Sequence, residues 1–244
     1  MIPESISLCF TNWNRTELLF KAFEQVIDSP LVSEIVISDD CSHIGTLQQI
    51  YFKFRDISKV KIFTNEKNLD CYFNKARAVE RATNEWICIL DSDNVFGLDY
   101  INRIENLIHA GLNPKTIYQP EWAKPHFDFR HLSGKQLNKS NLAQYMDNRS
   151  TDTMLNAMNY FVNRSEYLRI FDKNTNPVTS DSIYQNYRWL EAGNSIYVVP
   201  SLQYEHRVNK EDFGNEADSH YRVNSSRTPR YFHNDIINKL KAMR

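Results

Sequence analysis

Three short apolar, β-branched runs in the first half of this chain each end in a polar cluster, and this repeated juxtaposition constrains the fold more than any other feature. The runs are Ser5 to Phe10, Glu34 to Ser38 and Trp86 to Leu90. The clusters that follow them are Thr11-Asn12-Trp13-Asn14-Arg15, Asp39-Asp40-Cys41-Ser42 and Asp91-Ser92-Asp93-Asn94. Stretches with helical spacing separate the runs: Arg15 to Ile27, Ile44 to Arg55, and Tyr72 to Ala82 with Phe73, Ala76 and Val79 on one side. With Val60 to Thr64 as a further strand, the rhythm is β-α-β-α-β-α-β, which predicts parallel strands joined by crossover helices. Ligands of such sheets bind just beyond the C-terminal strand ends, so the three clusters are the first candidates for a site.

The second half is less regular and predicts a mixed sheet. Strands are expected at Thr116 to Gln119, Met158 to Val162 and Ile196 to Val199, the last ending at Pro200. Helices are expected at Ser165 to Phe171 and at Ser182 to Glu191, the latter stopped by Gly193. Residues 209–231 read as a polar flap. At 244 residues with 41% hydrophobic side chains, the chain has the material for one elaborated domain.

A formal charge of -1, from 29 basic and 30 acidic residues, argues against nucleic acid as a partner. Cys9, Cys41, Cys71 and Cys88 form no CxxC pair and read as reduced thiols. No run resembles a signal peptide or is long enough to cross a bilayer, so a cytoplasmic location is expected. The last stretch, Asp235 to Met243, sets Ile236, Ile237 and Leu240 on one helical side beside Lys239 and Lys241. Packing onto the domain is expected there, with peripheral contact to a membrane surface as the alternative. Oligomeric state is not specified.

Asp91-Ser92-Asp93 places two carboxylates at a turn after a buried strand, where both can face one hard cation, Mn²⁺ or Mg²⁺. Such ions complete their shells with water and substrate phosphates, so a phosphate-bearing ligand is implied. Standing alone, a D-x-D is more often a solvated turn than a metal site. Here the other two strand ends offer partners for a nucleoside: an Asp beyond a strand accepts from a base N–H or a ribose hydroxyl, and Thr11, Asn12, Asn14 and Arg15 stand beside it. Asp40 and Ser42 would alternatively cap the helix that starts near Ile44.

These strings, together with Asn65 to Asn68 and Ala82-Thr83-Asn84-Glu85-Trp86, resemble family 2 glycosyltransferases of the GT-A fold across about the first hundred residues. The resemblance implies a Rossmann-like α/β domain, a mixed sheet of mainly parallel strands flanked by helices. It would divide into a nucleotide-binding half (1–95), an acceptor and catalytic half (96–206) and a C-terminal flap and helix (207–244). It also implies a metal-dependent, hexosyltransferase-type enzyme of polysaccharide biosynthesis, with a UDP-sugar donor and a glycan or glycolipid acceptor. Asp39 or Asp40 would meet the uracil and ribose, Asp93 would hold the metal with Asp91 beside it, and Ser92 would line the donor site.

Relatives commonly carry Gly, Asn and Gly where this chain has Asp70, Ala76 and Ala78; Lys75 fills the usual Arg position and Arg77 lies two residues on, so either would reach the donor. Inverting relatives place a general base in an E-D pair at a helix start, and Ser180-Asp181 fills that slot, with Ser180 replacing Glu. A plain helix cap would explain the same pair. In Tyr204-Glu205-His206-Arg207 the resemblance offers His206 as a third metal ligand, and Asn159 or Tyr160 would line the donor-sugar pocket. Arg207, Arg222, Arg227 and Arg230 would clamp the diphosphate or simply form a solvated basic surface. Two other readings stay open: a nucleotidyltransferase, disfavoured because Thr11 to Arg15 has no glycine, and a non-catalytic nucleotide-sugar-binding module of a glycan assembly complex.

Overall fold

The computed structural model describes residues 3–146, 148–207, 227 and 230–243. The described part of the first half follows the expected alternation. Strands β1 (Ile6–Asn12), β2 (Val32–Asp39), β3 (Val60–Thr64) and β4 (Trp86–Asp91) are parallel neighbours in the order β3-β2-β1-β4. Helices α1 (Glu17–Phe23), α2 (Ile44–Phe54) and α3 (Asp70–Arg81) join them. Alternation along β1 explains the layers: Leu8 and Phe10 pack on one face with Phe23, Ile50 and Phe54, while Cys9 packs on the other with Val36, Ala78 and Val79. Helix α4 (Leu98–Ala110), which the sequence reading did not mark, lays Tyr100, Ile101 and Ile104 onto the first face.

Beyond β4 the sheet is mixed, as expected. Strands β5 (Thr116–Lys124), β6 (Phe127–Asp128), β7 (Gln136–Asn138), β8 (Tyr160–Asn163) and β9 (Ser195–Glu205) complete a nine-stranded sheet among the described residues. Strand β8 runs antiparallel to both β4 and β5, and β9 parallel to β5. Helices α5 (Arg149–Leu155), α6 (Arg164–Ile170) and α7 (Asp181–Glu191) cover this half. Asn148 and Asn163 cap α5 and α6 by accepting from the backbone N–H groups of Ser150 and Glu166.

Strand β9 does not stop at Pro200. A register shift between Pro120 and Trp122 and a left-handed Ser201 at φ 63° absorb the proline, with the Ser201 N–H donating to Glu121 at 2.8 Å. The strand then runs to Glu205, with His206 just beyond its C-terminal end. The last helix, α8 (Arg230–Lys241), buries Ile236 and Leu240 in the same core as α7, with Met243 just beyond its end, so its apolar side packs on the domain. Among the described residues no helix is long and apolar enough to cross a membrane.

Candidate active site

Two adjoining cavities open at the C-terminal ends of β1, β2 and β4. The first encloses about 500 Å³ and is lined by the turn after β4, by α3 and by the start of α7. The second encloses about 520 Å³ between the ends of β1 and β2 and the start of α3. Thr11, Arg15 and Cys71 line both, so one continuous groove passes over the end of β1.

Lys75 organises the first cavity. It is 4% exposed, and its Nζ lies 2.7 Å from Asp181 Oδ2 and 3.2 Å from Asp91 Oδ1. Burial opposes its charge, but Asp181 and Asp91 outweigh burial and hold the ammonium protonated far above the ordinary lysine range. The two carboxylates, 90 residues apart in the chain, are thereby brought to one cation. Arg15 holds the other carboxylate of the turn, with Nη1 3.2 Å from Asp93 Oδ2 and 3.4 Å from Ser92 Oγ. Asn159, at φ 73°, accepts the Asp91 N–H at 2.8 Å and donates to Asp91 Oδ2 at 3.3 Å. Arg207 is buried under the same turn and donates to the carbonyls of Asp93 (2.6 Å), Asn94 (3.0 Å) and Leu18 (3.2 Å). It braces the turn from behind.

His206 lines the cavity with Asp91 and Asp93. Burial lowers its pKa below the ordinary histidine value against the pull of both aspartates, so its imidazole is neutral at pH 7, and its Nδ1 is buried without a hydrogen-bond partner. Two carboxylates and a neutral imidazole are a donor set that suits Mn²⁺ and, with fewer protein ligands, Mg²⁺. Among the described residues no three such side chains form a ready-made cage. A hard cation taking one or two carboxylates and finishing its shell with water and phosphate needs none.

In the second cavity Asp39 and Asp40 diverge. Asp39 is fully buried and accepts from Ser42 N–H (2.8 Å), Ser42 Oγ (2.6 Å) and Asn12 Nδ2 (3.0 Å), which ties the ends of β1 and β2 together. Asp40 lines the cavity. It accepts from the Leu69 N–H (2.8 Å) and Asn65 Nδ2 (3.0 Å), yet burial dominates and raises its pKa to about 6. Neither Asp40 nor Ser42 caps α2, whose N-cap is His43. Asp70 occupies a left-handed position at φ 65°, the conformation that favours the glycine expected there. Its carboxylate is gripped by both Arg227 guanidinium nitrogens (2.8 and 3.0 Å) and by Asn176 (2.9 Å).

A model described as glycosyl transferase family 2 matches residues 7–171, more than half of the chain. This chain belongs to glycosyl transferase family 2. Among solved structures, residues 1–349 of S. aureus TarS in complex with UDP superpose with a TM-score of 0.67 at 15% identity, covering 97% of this chain and 70% of that one. The same protein in complex with UDP-GlcNAc gives 0.64 at 13% identity, covering 97% and 71%. GalNAc-T7 with UDP, GalNAc and Mn²⁺ gives 0.60 at 12%, covering 87% of this chain and 45% of that one. Likeness at these identities shows the fold, which is GT-A. No curated protein matches the sequence significantly.

The family 2 chain brings most of its sequence-marked residues together. Thr11, Arg15, Lys75, Asp91, Ser92, Asp93, Asn159, Asp181 and His206 line the first cavity, and Thr11, Asn12, Arg15 and Asp40 the second. Arg77 is not brought to either: it is exposed on the far side of α3 and pairs with Glu80 at 2.8 Å. Asn14 lines neither cavity and instead staples two loops, its Oδ1 accepting from the His43 N–H and its N–H donating to Ser42. Asp39 stands behind the wall. Of the alternatives at 159 and 160, Asn159 lines the cavity and Tyr160 lies in the core. Residue 222 and most of the predicted flap lie outside the described residues.

Cys71, Thr153, Asn156 and Tyr204 line the cavities although the sequence assigns them no site role, beside Trp13 of the first strand-end cluster and Phe127, one of the second-half aromatics on which an acceptor sugar would stack. Cys71 was detectable, because it lies one helical turn before Lys75 on the same face. The others depend on contacts between distant segments.

Proposed function

We propose that this chain is an inverting glycosyltransferase that moves a sugar from a UDP-sugar onto a hydroxyl of a glycan or glycolipid, with Mn²⁺ or Mg²⁺ at the D-x-D turn. One observation carries the reading: Lys75 touches both Asp91 and Asp181, so the metal-binding turn and the candidate base face each other across one cavity. The bland alternative for Asp181, a helix cap, is unsupported, since the Ser180 side chain makes no cap bond and the Asp181 carboxylate is turned to Lys75.

Charge favours a metal. Among the described residues lining the first cavity, Arg15, Lys75 and Arg207 balance Asp91, Asp93 and Asp181, three against three, with His206 neutral. A diphosphate donor brings negative charge that this wall leaves uncompensated. A divalent cation held by Asp93 and Asp91, with His206 as third ligand, would supply that charge and act as a Lewis acid for departure of the diphosphate. The neighbours' bound UDP, UDP-GlcNAc and Mn²⁺ support the same ligands here.

The chain's own residues divide the work. Asp40, with Asn12 and Trp13, receives the nucleoside in the second cavity, and Arg15 with Ser92 receives the diphosphate where the cavities join. Asn159 orients Asp91. Asp181 takes the proton from the acceptor hydroxyl as its oxygen attacks the anomeric carbon on the face opposite the leaving diphosphate, which inverts the configuration. Lys75, 2.7 Å from Asp181 Oδ2, holds that carboxylate toward the cavity.

Asp181→Asn separates this reading from a non-catalytic binding module. Calorimetric UDP binding with Mn²⁺ is expected to survive while transfer falls by about 10²- to 10⁴-fold, the range for loss of a general base. Donor binding without turnover in the unaltered protein would instead favour the module.

A further inference from the structure

A serine, a histidine and an aspartate meet behind the candidate base. Ser180 Oγ lies 3.1 Å from Nδ1 of His233 on α8, and the Asp152 carboxylate on α5 bears electrostatically on the same ring. Such a trio invites a nucleophilic reading. Burial excludes it: Ser180 is 1% exposed and neither it nor His233 lines either cavity, so no substrate reaches the hydroxyl.

The same burial makes the contact a brace. Asp181 is delivered by a 3₁₀ turn, Val178–Ser180, that starts with Val178 at φ 50°, a conformation costly for a β-branched residue. A turn of that kind persists only where its surroundings over-determine it. Within the turn, Asn176 Oδ1 accepts the Val178 N–H at 3.1 Å and the Pro177 carbonyl accepts the Ser180 N–H at 2.9 Å. From outside, Lys75 holds Asp181 on its cavity side and His233 holds Ser180 on its core side. Helix α8 is itself fixed, with Ile236 and Leu240 in the core and Phe232 5.7 Å from Tyr184 of α7.

We propose that His233 is a positioning residue for transfer: through Ser180, the C-terminal helix sets the direction in which Asp181 presents its carboxylate to the acceptor. The inference rests on Asp181 being the base. It also accounts for the serine at a position where the resemblance leads one to expect glutamate, because the short hydroxyl turns inward to the helix behind it. Either group of the Ser180–His233 pair can supply the proton, so an amide oxygen at position 233 can stand in for Nδ1.

A double-mutant cycle tests this with the full chain, Mn²⁺, a UDP-sugar and acceptor. Ser180→Ala and His233→Ala are each expected to lower kcat by roughly tenfold, as small misplacements of a reacting group do, with donor KM changing by less than about twofold. The double variant should be no worse than either single one, and His233→Asn should recover most of kcat. Multiplicative losses, an Asn variant as impaired as the Ala variant, or losses that merely track the unfolding temperature would overturn the proposal. Asp181→Asn in the same assay distinguishes the failures. If it retains transfer, the base reading falls and this inference with it; if it abolishes transfer while His233→Ala is fully active, only the positioning role falls.

Discussion

Residues 6–91 and residues 116–207 both supply the cavities, but by different routes. Thr11, Asp40 and Asp91 reach the groove because each stands at the end of a parallel strand, where register alone aligns Thr11 with Asp91 and Asn12 with Asp39. Asn159, Asp181 and His206 arrive from a left-handed residue before β8, a helix start and the end of a bulged strand. In the first half the backbone pattern decides position; in the second, side-chain contacts between remote segments do. Tolerance to substitution follows from this contrast. Strand-end residues are held by many ladder bonds, whereas Asp181 depends on a few particular partners.

Beside the β4–β8 pairing and the Asn159 and Arg207 contacts, Lys75 ties Asp91 of the first half to Asp181 of the second, and its replacement is expected to have the largest effect. Lys75→Met leaves Asp91 and Asp181 without their buried counter-charge, which is expected to cost about 3–5 kcal/mol of stability and most of the activity. Chemical unfolding monitored by fluorescence measures it, and Lys75→Arg should lose much less. If the methionine variant unfolds at the same denaturant concentration, this ammonium adds nothing to the joining of the halves.

That joining was only half legible. The β-α alternation, the three strand-end clusters and the D-x-D were readable because periods of 2 and 3.6 residues and turn chemistry are local. Lys75 and Asp181 each carry a signal, but their pairing across 106 residues does not, and Lys75 and Arg77, two residues apart, read as equivalent although one turns inward and the other to Glu80. Asp39 and Asp40 were equally ambiguous, because which of two adjacent carboxylates faces a cavity depends on where Ser42 and Asn12 sit. Strand β9 outran its expected end because the bulge that absorbs Pro200 is built with Glu121 on a neighbouring strand. His233 carried no local signal at all.

Asp40 offers a smaller effect that sharpens the picture of the first half. Burial places its folded pKa near 6, above the usual 3.8, so it ionises only as the pH rises through about 6. A nucleoside that donates to this carboxylate binds the ionised form. UDP affinity is therefore expected to be full above pH 7 and to weaken as the pH falls through 6, with the charge-assisted bond contributing about 1.5–3 kcal/mol. In Asp40→Asn the affinity should be lower at pH 7 and the loss of affinity between pH 7 and 5 smaller than in the unaltered protein. A variant that keeps the step would assign it to another group.

In the proposed reaction one divalent cation on Asp91 and Asp93 receives the diphosphate of the donor. Calorimetric titration of UDP into the full chain, with and without Mn²⁺, tests it directly when repeated on Asp93→Ala. The prediction is tight binding with Mn²⁺ in the unaltered protein and at least about tenfold weaker binding, equivalent to 1.4 kcal/mol, when either the metal or the Asp93 carboxylate is removed, with no further loss when both are. Equal affinity with and without Mn²⁺, or an Asp93→Ala protein that still responds fully to the metal, would contradict it.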